Sequence, residues 1–581
     1  MRENRLQLRL VHLNDTHSHF DPSDLVLNPP GAQQHHSISI SCGGYARISQ
    51  FSKAQRTLAK EQQQEFLLLH AGDSFQGSLY FNCFKGEANA TLLNALGIDA
   101  MTLGNHEFDL DHQLLAEFIQ QAKFEVLASN IEFRADDPLY SCYTEGKLKC
   151  HQGGELSQQL MLKELNGHKL AIIGVTTEQT PDIACPEPGT LFHSVQQTTQ
   201  DLIDRLRQSG IVNIIVLSHL GIEQDRQLAR SVDGLSLIIG GHTHTLQGDF
   251  SALGLVTDGP YGEIINQVPI LHAGKHAESL GLAEIEFDEQ GQARLLHGAT
   301  YFLLGPEPKL ICDTPLSCEQ YKKLEQTIFS HPQLVCVEDD PEVAGIITRR
   351  YQPALHELSR AIVCDVEAPL RHSRLPSDTL PHGSEIAPLV TQSLLEFARL
   401  ESHPVHFAIH NAGGVRTSLP AGDLTRADIL GRLLPFAIPL VIYQLRGQEL
   451  RELLESAINN ALDNGVIGTG SGSFPYVANL RYHYQVEAPA GERITLLEHR
   501  NDDGLWREVI AGHKYRAVSS AYTASGKEGY DLLGQHCPTS QIHLSTTLGE
   551  AFEQYARNQK VLRRPREPLV SIKESSSSRV A

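Results

Sequence analysis

Five short polar blocks carry residue types that hold metal ions. They read Asn14-Asp15-Thr16-His17, Gly72-Asp73-Ser74, Gly104-Asn105-His106-Glu107, Ser218-His219 and Gly240-Gly241-His242-Thr243-His244. Each follows an apolar run, at residues 8–13, 66–69, 100–103, 214–217 and 235–239. Short runs rich in Leu, Ile and Val, bounded by Gly, Asp or Asn, suit strands buried on both faces of a sheet. Open α/β sheets place ligand sites at strand C-termini, so the five blocks can converge at one rim. One block alone is ordinary, because a lone His after a strand is usually a loop or cap residue and Gly-Asp is usually a turn. Five in succession are not.

Neutral imidazoles, carboxylates and an amide oxygen together suit Zn, Mn, Fe or Co rather than Ca. The number of donors suits two ions. Less the charges of Asp15 and Asp73, two divalent ions leave about +2 locally to hold an oxyanion. Metals about 3.5–4 Å apart can activate a shared water and stabilise a phosphoryl group under in-line attack. His106 is followed three residues later by Asp109, which could orient and charge its imidazole. As a bare local pair, the two serve equally well as a structural hydrogen bond.

The five blocks resemble those of the calcineurin-like metallophosphoesterases. Over about residues 6–560 the chain resembles the 5′-nucleotidase/UDP-sugar hydrolase family. The resemblance implies an α/β fold in two domains: an N-terminal four-layer α/β/β/α sandwich over residues 6–306 and a C-terminal α/β or α+β nucleotide-binding domain over 361–560. A connector with an interdomain helix is expected at 307–360, and a disordered tail at 561–581. The resemblance assigns one metal to Asp15, His17, Asp73 and His244, and the other to Asp73, Asn105, His219 and His242, with Asp73 bridging. It makes His106 and Asp109 a catalytic dyad. The implied activity is release of phosphate from nucleoside 5′-monophosphates, or hydrolysis of related nucleotides such as UDP-sugars, by in-line attack of a metal-bridging hydroxide. A 2′,3′-cyclic nucleotide phosphodiesterase/3′-nucleotidase shares the architecture. A non-catalytic nucleotide or metal sensor would be expected to show a broken ligand set.

The C-terminal half supplies the residues for a small nucleotide substrate. Asn411-Ala412-Gly413-Gly414-Val415-Arg416 follows the apolar residues 405–409. Gly-Gly permits close backbone approach, and Arg416 offers a planar fork to phosphate or ribose oxygens. Alone, Gly-Gly-x-Arg would more often be a turn with a solvated Arg. By resemblance, Asn411, Gly413, Gly414 and Arg416 bind substrate, while Phe436 and Tyr522 sandwich the base. Such stacking favours nucleosides as a class. Two departures stand out. Ser525-Gly526-Lys527-Glu528-Gly529-Tyr530 occupies the place of Gly-Gly-Asp-Gly-Tyr, so Glu528 replaces the Asp that holds ribose hydroxyls. The segment with the family's phosphate-binding Arg is longer here, and Arg374 is preferred for that role over Arg371.

The elements that must position these residues are short. Further apolar runs at 125–128, 170–175 and 269–271 complete the expected strands of the first domain. Residues 343–358 repeat apolar side chains at helical spacing, and Pro353 should kink or split that helix. Thr425-x-x-Asp428 has the form of a capping box, and Leu450, Leu453, Leu454, Ile458 and Leu462 mark an amphipathic helix.

The net charge of −21 over 581 residues argues against a nucleic-acid polymer as partner. It does not exclude a small phosphate ester, because the charge that matters is local. No apolar run approaches the about 20 residues that span a bilayer. Ten cysteines without a CxxC pair read as mostly reduced, buried thiols. The N-terminus lacks the form of an export signal, so a cytoplasmic location is expected for the sequence as it stands, or a periplasmic or extracellular one for a mature exported form.

Overall fold

A computed structural model describes residues 5–30, 38–312, 317–463, 470–501, 503–535 and 541–573. The chain divides into two compact units, Met1–Pro353 and Ala354–Ala581.

The first unit is built on two sheets. In the larger, Leu6–Leu13, Glu65–His70, Ala100–Thr102, Glu125–Ala128 and Leu148–Cys150 run parallel. In the smaller, the parallel strands are His168–Thr176, Asn213–His219, Leu237–Ile239 and Val268–Leu271. Alternate side chains of each strand serve two different cores. Ile215 and Leu217 meet Leu8, Leu10, Leu67 and Leu69 between the sheets. Ile214 and Val216 instead pack with Leu202, Ile203 and Leu206 from the helix Val195–Gln208. That two-sided burial is why these strands read as unbroken apolar runs. Each fully buried Leu or Ile contributes about 2 kcal/mol.

Strands absent from the sequence reading have one wetter face. Ser279–Phe287 pairs antiparallel with Leu6–Leu13 and with Ala293–Leu304, and its side chains alternate between buried and half-buried. Ser23–Leu27 and Ile38–Cys42 form a further antiparallel pair.

Much of the connector belongs to the first unit. The helix Cys318–Phe329 starts in a Ser317/Gln320 capping box and buries Ile328 beside Phe250, Phe302 and Leu304. Leu334–Cys336 pairs with Phe302 to Leu304. A helical stretch follows as Pro341–Ile346, a π-turn Ile347–Tyr351 and Gln352–Arg360, and the two units divide within it. The π-turn lies just ahead of Pro353, where a break was expected. Its wider register accommodates a residue that cannot donate a backbone hydrogen bond.

The second unit centres on a mixed sheet in the order Pro475–Ala478, Phe407–Asn411, Lys514–Ser520, Pro439–Arg446 and Ile542–Thr547. Leu450, Leu453, Leu454 and Ile458 of the helix Gly447–Asp463 enter its core, and Thr425 and Asp428 form the capping box. The tail expected to be disordered from 561 is partly strand. Val561–Leu562 pairs with Asp365 and Val366, and Val570–Ile572 pairs with Tyr482 to Tyr484. Leu562 and Val570 are buried, and two such anchors are hidden in a polar composition. Residues 574–581 lie outside the described residues.

Nine cysteines lie among the described residues. Cys42, Cys142, Cys150 and Cys364 are buried while Cys318 and Cys336 are exposed, so burial is less general than expected. Among the described residues, no helix is long and apolar enough to cross a membrane.

Candidate metal centre

The loops after five strands of the first unit meet at one rim, and their backbones fix one another before any side chain is considered. Asp15 N donates to Gly72 O (3.0 Å), His17 N to Asp73 O (3.0 Å) and Ser18 N to Ser74 O (2.8 Å). The two loops are thus zipped together. Asp15, His17, Asp73, His242 and His244 all have left-handed backbones, with φ of 50°, 48°, 55°, 79° and 55°. Each such residue costs about 1–2 kcal/mol, so the surrounding contacts must hold it there. Gly104 is required by crowding: a Cβ on it would lie 2.2 Å from Asp73 Oδ1.

Two groups of ligand-type atoms result: Asp15, His17 and His244, and Asp73, His219 and His242. Asn105 joins the second, its Oδ1 lying 2.9 Å from His242 Nδ1. Asp73 Oδ2 is 3.2 Å from His219 Nε2 and 3.9 Å from His17 Nε2, so one carboxylate reaches both groups. His219 Nδ1 donates to Ala71 O (2.7 Å), which turns its buried Nε2 inward toward Asp73. A backbone carbonyl holding one ring nitrogen while the other faces inward is the arrangement of a metal-binding imidazole. Likewise His17 places Nδ1 on Phe75 O (3.1 Å) and Nε2 3.0 Å from His244 Nε2.

The electrostatics favour a cation at this place. Burial raises Asp15 to about 7, with Asp73 adding to the effect and His219 opposing it. Burial opposes a charge on His219, but Asp73 outweighs it and lifts the imidazole to about 9. Burial lowers His242 and His244 to about 3, which leaves their lone pairs available. The donor set therefore fits divalent ions of the Zn, Mn, Fe or Co kind, which would replace the proton between Asp73 and His219.

His106 follows the ligand loop. Its backbone N donates to Asp73 Oδ1 (2.9 Å), and its Nδ1 is 2.6 Å from Asp109 Oδ2. Burial works against a charge on His106, but Asp109 first and Asp73 next carry it up to about 10.

Two positioning residues escaped the sequence reading. Glu107, buried, accepts from Asp73 N (3.0 Å), Ser74 N (2.7 Å), Phe75 N (3.1 Å), Gly104 N (2.7 Å) and Ser74 Oγ (3.1 Å). It therefore clamps the Asp73 loop to the Asn105 loop. Its only sequence signal was an acid inside a ligand block. Asp225 accepts from Ser218 Oγ (2.5 Å) and pairs with His272 Nε2 (2.7 Å). A Cβ on Gly240 would lie 2.1 Å from His272 and 2.2 Å from Asp225, so the carboxylate sits under the loop that delivers His242.

In the second unit, Arg416 Nη1 donates to Gly413 O (3.1 Å), and the guanidinium lies 5.4 Å from the centroid of the half-buried Phe436 ring. Gly413 and Gly414 belong to the turn Ala412–Gly414 ahead of Arg416, where a Cβ on Gly413 would lie 3.2 Å from Gly472 Cα. Asn411 Oδ1 accepts from Thr523 Oγ1 (3.3 Å). Burial raises Glu528, while Arg374, a hydrogen bond from Tyr522, and Arg416 oppose that shift. Burial and the neighbouring Arg374 lower Arg416. Arg374, Arg416, Tyr522 and Glu528 thus share one neighbourhood. Arg371 is exposed and engaged with Glu385.

Residues 8–246 match the calcineurin-like phosphoesterase family, and residues 371–535 match the 5′-nucleotidase C-terminal domain. Over 552 residues the chain is 30% identical to a probable 5′-nucleotidase of Treponema pallidum, covering 91% of this chain and 88% of that protein. It is 27% identical over 551 residues to the NAD 5′-nucleotidase of Haemophilus influenzae, covering 91% and 86%. The 5′-nucleotidase precursor of Thermus thermophilus superposes with a TM-score of 0.70 at 28% identity, covering 98% of this chain and 100% of that one. The chain belongs to the 5′-nucleotidase family of phosphoric ester hydrolases.

Proposed function

We propose that this enzyme hydrolyses the phosphate ester of nucleoside 5′-monophosphates and related nucleotides, using two divalent ions. The observation that supports this most is the pair of ligand groups joined by Asp73, with a charged His106 beside them. Asp15, His17, His244 and Asp73 would hold one ion, and Asp73, Asn105, His219 and His242 the other. Bound there, the ions would supply positive charge to the phosphoryl oxygens and lower the pKa of a water. His106 keeps a proton at Nε2 because Asp109 occupies Nδ1, and so stabilises charge developing on the ester oxygens. Arg374 and Arg416 would take phosphate or ribose oxygens and Glu528 the ribose hydroxyls, while Phe436 and Tyr522 would stack on the base.

The test is phosphate release from purified protein with Mn or Zn, against a chelated control, over 5′-, 3′- and 2′,3′-cyclic nucleotides. Metal-dependent release fastest from 5′-nucleotides is expected. Preference for the cyclic or 3′ substrates would replace this reading with the phosphodiesterase one, and no release with any metal would leave a sensor.

A further inference from the structure

A cavity of about 360 Å³ in the second unit is lined by residues from 371–388 and from 564–570. Tyr476 and Val477 of the strand Pro475–Ala478 line it as well. None of Arg374, Asn411, Arg416, Phe436, Tyr522 and Glu528 does, so the cavity is separate from the residues assigned to the nucleotide.

Its walls are set by hydrogen bonds and by stiff residues. Tyr476 Oη accepts from Ser384 N (2.7 Å) and donates to Ser373 O (2.8 Å). Gly383 is left-handed, with φ of 77°, and a Cβ there would lie 2.2 Å from Tyr476 Oη. His382 Nδ1 lies 3.1 Å from Val570 O, which ties the two segments together. Pro381, Pro388, Pro565 and Pro568 all line the cavity, and a fixed φ leaves them little freedom to lose on binding. The cavity is already formed.

Its chemistry is mixed. Leu380, Val477, Leu569 and Val570 add apolar surface to the prolines. Three guanidinium groups, of Arg371, Arg564 and Arg566, meet two carboxylates, Glu385 and Glu567. Glu385 Oε1 is taken by Arg371 (3.3 Å) and Arg564 (3.4 Å). Glu567 Oε1 accepts from Arg481 Nη1 (3.1 Å) and Trp506 Nε1 (2.9 Å). Arg566 is exposed, and among the described residues it makes no hydrogen bond or ion pair. One positive charge is thus uncommitted beside apolar walls, in a chain whose net charge is −21.

Small-molecule sites occupy about 300–1,000 Å³, so this volume suits one compact ligand. Apolar walls suit a ring, and a guanidinium can grip a carboxylate or sulfonate with two N–H groups. We infer that the cavity binds a small organic anion with an apolar ring, held by Arg566, and that its occupancy tightens nucleotide binding. The link is Tyr476 Oη, which bonds the cavity wall at Ser384 and also Ser373, next to Arg374. Ser384 Oγ lies 3.0 Å from His372 Nδ1, a second tie to the same segment. A ligand against this wall stiffens the segment that carries Arg374, which then has less freedom to lose when nucleotide binds. That link rests on the proposed function, in which Arg374 takes substrate oxygens.

Calorimetric titration of the manganese-loaded protein tests the site, with 2-naphthoate and its uncharged counterpart 2-naphthylmethanol as probes. Adenosine in excess keeps Phe436 and Tyr522 occupied. One naphthoate per chain is expected, bound at least about tenfold more tightly than the alcohol, a difference of about 1.4 kcal/mol. Arg566→Glu should remove that difference. Arg507→Glu should keep it, because Arg507 is exposed and lies outside the cavity. No binding, equal affinity for the two probes, an advantage that survives Arg566→Glu, or an equal loss in both variants would overturn the site. Saturating naphthoate should also lower KM for a nucleoside 5′-monophosphate about fivefold, with kcat unchanged, in the unaltered enzyme but not in Arg566→Glu. A KM that stays the same, or that shifts equally in both proteins, would overturn the link to Arg374. If no nucleotide is hydrolysed with any metal the proposed function fails and the link with it, while the titration still judges the site.

Discussion

The two candidate sites are held in opposite ways. In the first unit the backbone does the holding. Ligand residues sit in left-handed conformations, loops are zipped by their own amides, and Glu107 gathers four backbone donors. In the second unit the side chains hold one another. Arg416 leans on a carbonyl and a ring, and Arg374 and Arg416 lie in the field of one carboxylate, Glu528. The first arrangement tolerates no change of position, as in-line chemistry requires. The second can adjust to a ligand's shape at little cost. On the proposed function, reaction geometry and recognition are thus separated in the kind of force as well as in sequence.

Substitutions can break that contrast, and the largest effect should come from the shared carboxylate. Asp73→Asn should lower turnover by about a thousandfold and release bound metal, as read by phosphate release and metal analysis. Turnover within tenfold of the unaltered enzyme would dissolve the two-ion assignment. Next comes the clamp. Glu107→Gln leaves every ligand in place but puts an amide where five donors converge, so activity or metal affinity should fall by about 10–100-fold. A variant with unchanged metal affinity and turnover would mean that the loops hold without it. In the second unit, Phe436→Ala should raise KM for nucleotides about tenfold, while a generic phosphate ester such as p-nitrophenyl phosphate shows a much smaller change. Equal losses on both substrates would give Phe436 a structural role.

The smallest effect concerns His410, next to Asn411. Its ring is buried with neither nitrogen hydrogen-bonded among the described residues, and burial first, then His372, lower it to about 4. Its folded pKa therefore lies below the ordinary value, and the unfolded chain binds the extra proton. Stability is full above about pH 6.5 and declines as pH falls toward 4, by about 1 kcal/mol at pH 5.5. His410→Leu should remove that decline. The chain has one tryptophan, Trp506, which lies in the second unit, so its fluorescence can follow denaturant unfolding there. An acid-side decline that is the same in both proteins would show that other groups cause it.

What was legible in the sequence follows from the same contrast. The ligand blocks were visible because strands buried on both faces announce themselves, and the residues just after them must point to the rim. Glu107 was passed over although it lies inside a block, because its partners at 73–75 are distant in sequence and are backbone groups. The pairing of Val570–Ile572 depends on one buried position, Val570, in a polar stretch, which periodicity alone does not separate from loop.

The zipped loops have a consequence in time as well as in space. Loop amides ordinarily exchange with solvent hydrogen fastest, because little holds them. Here the amides of Asp15, His17, Ser18, Asp73, Ser74, Phe75, Gly104, His106 and His242 are all bonded, to a neighbouring loop or to a carboxylate. None can open alone without disturbing the next. The rim that should handle water most intimately is therefore, in its own backbone, among the slowest parts of the molecule to admit it.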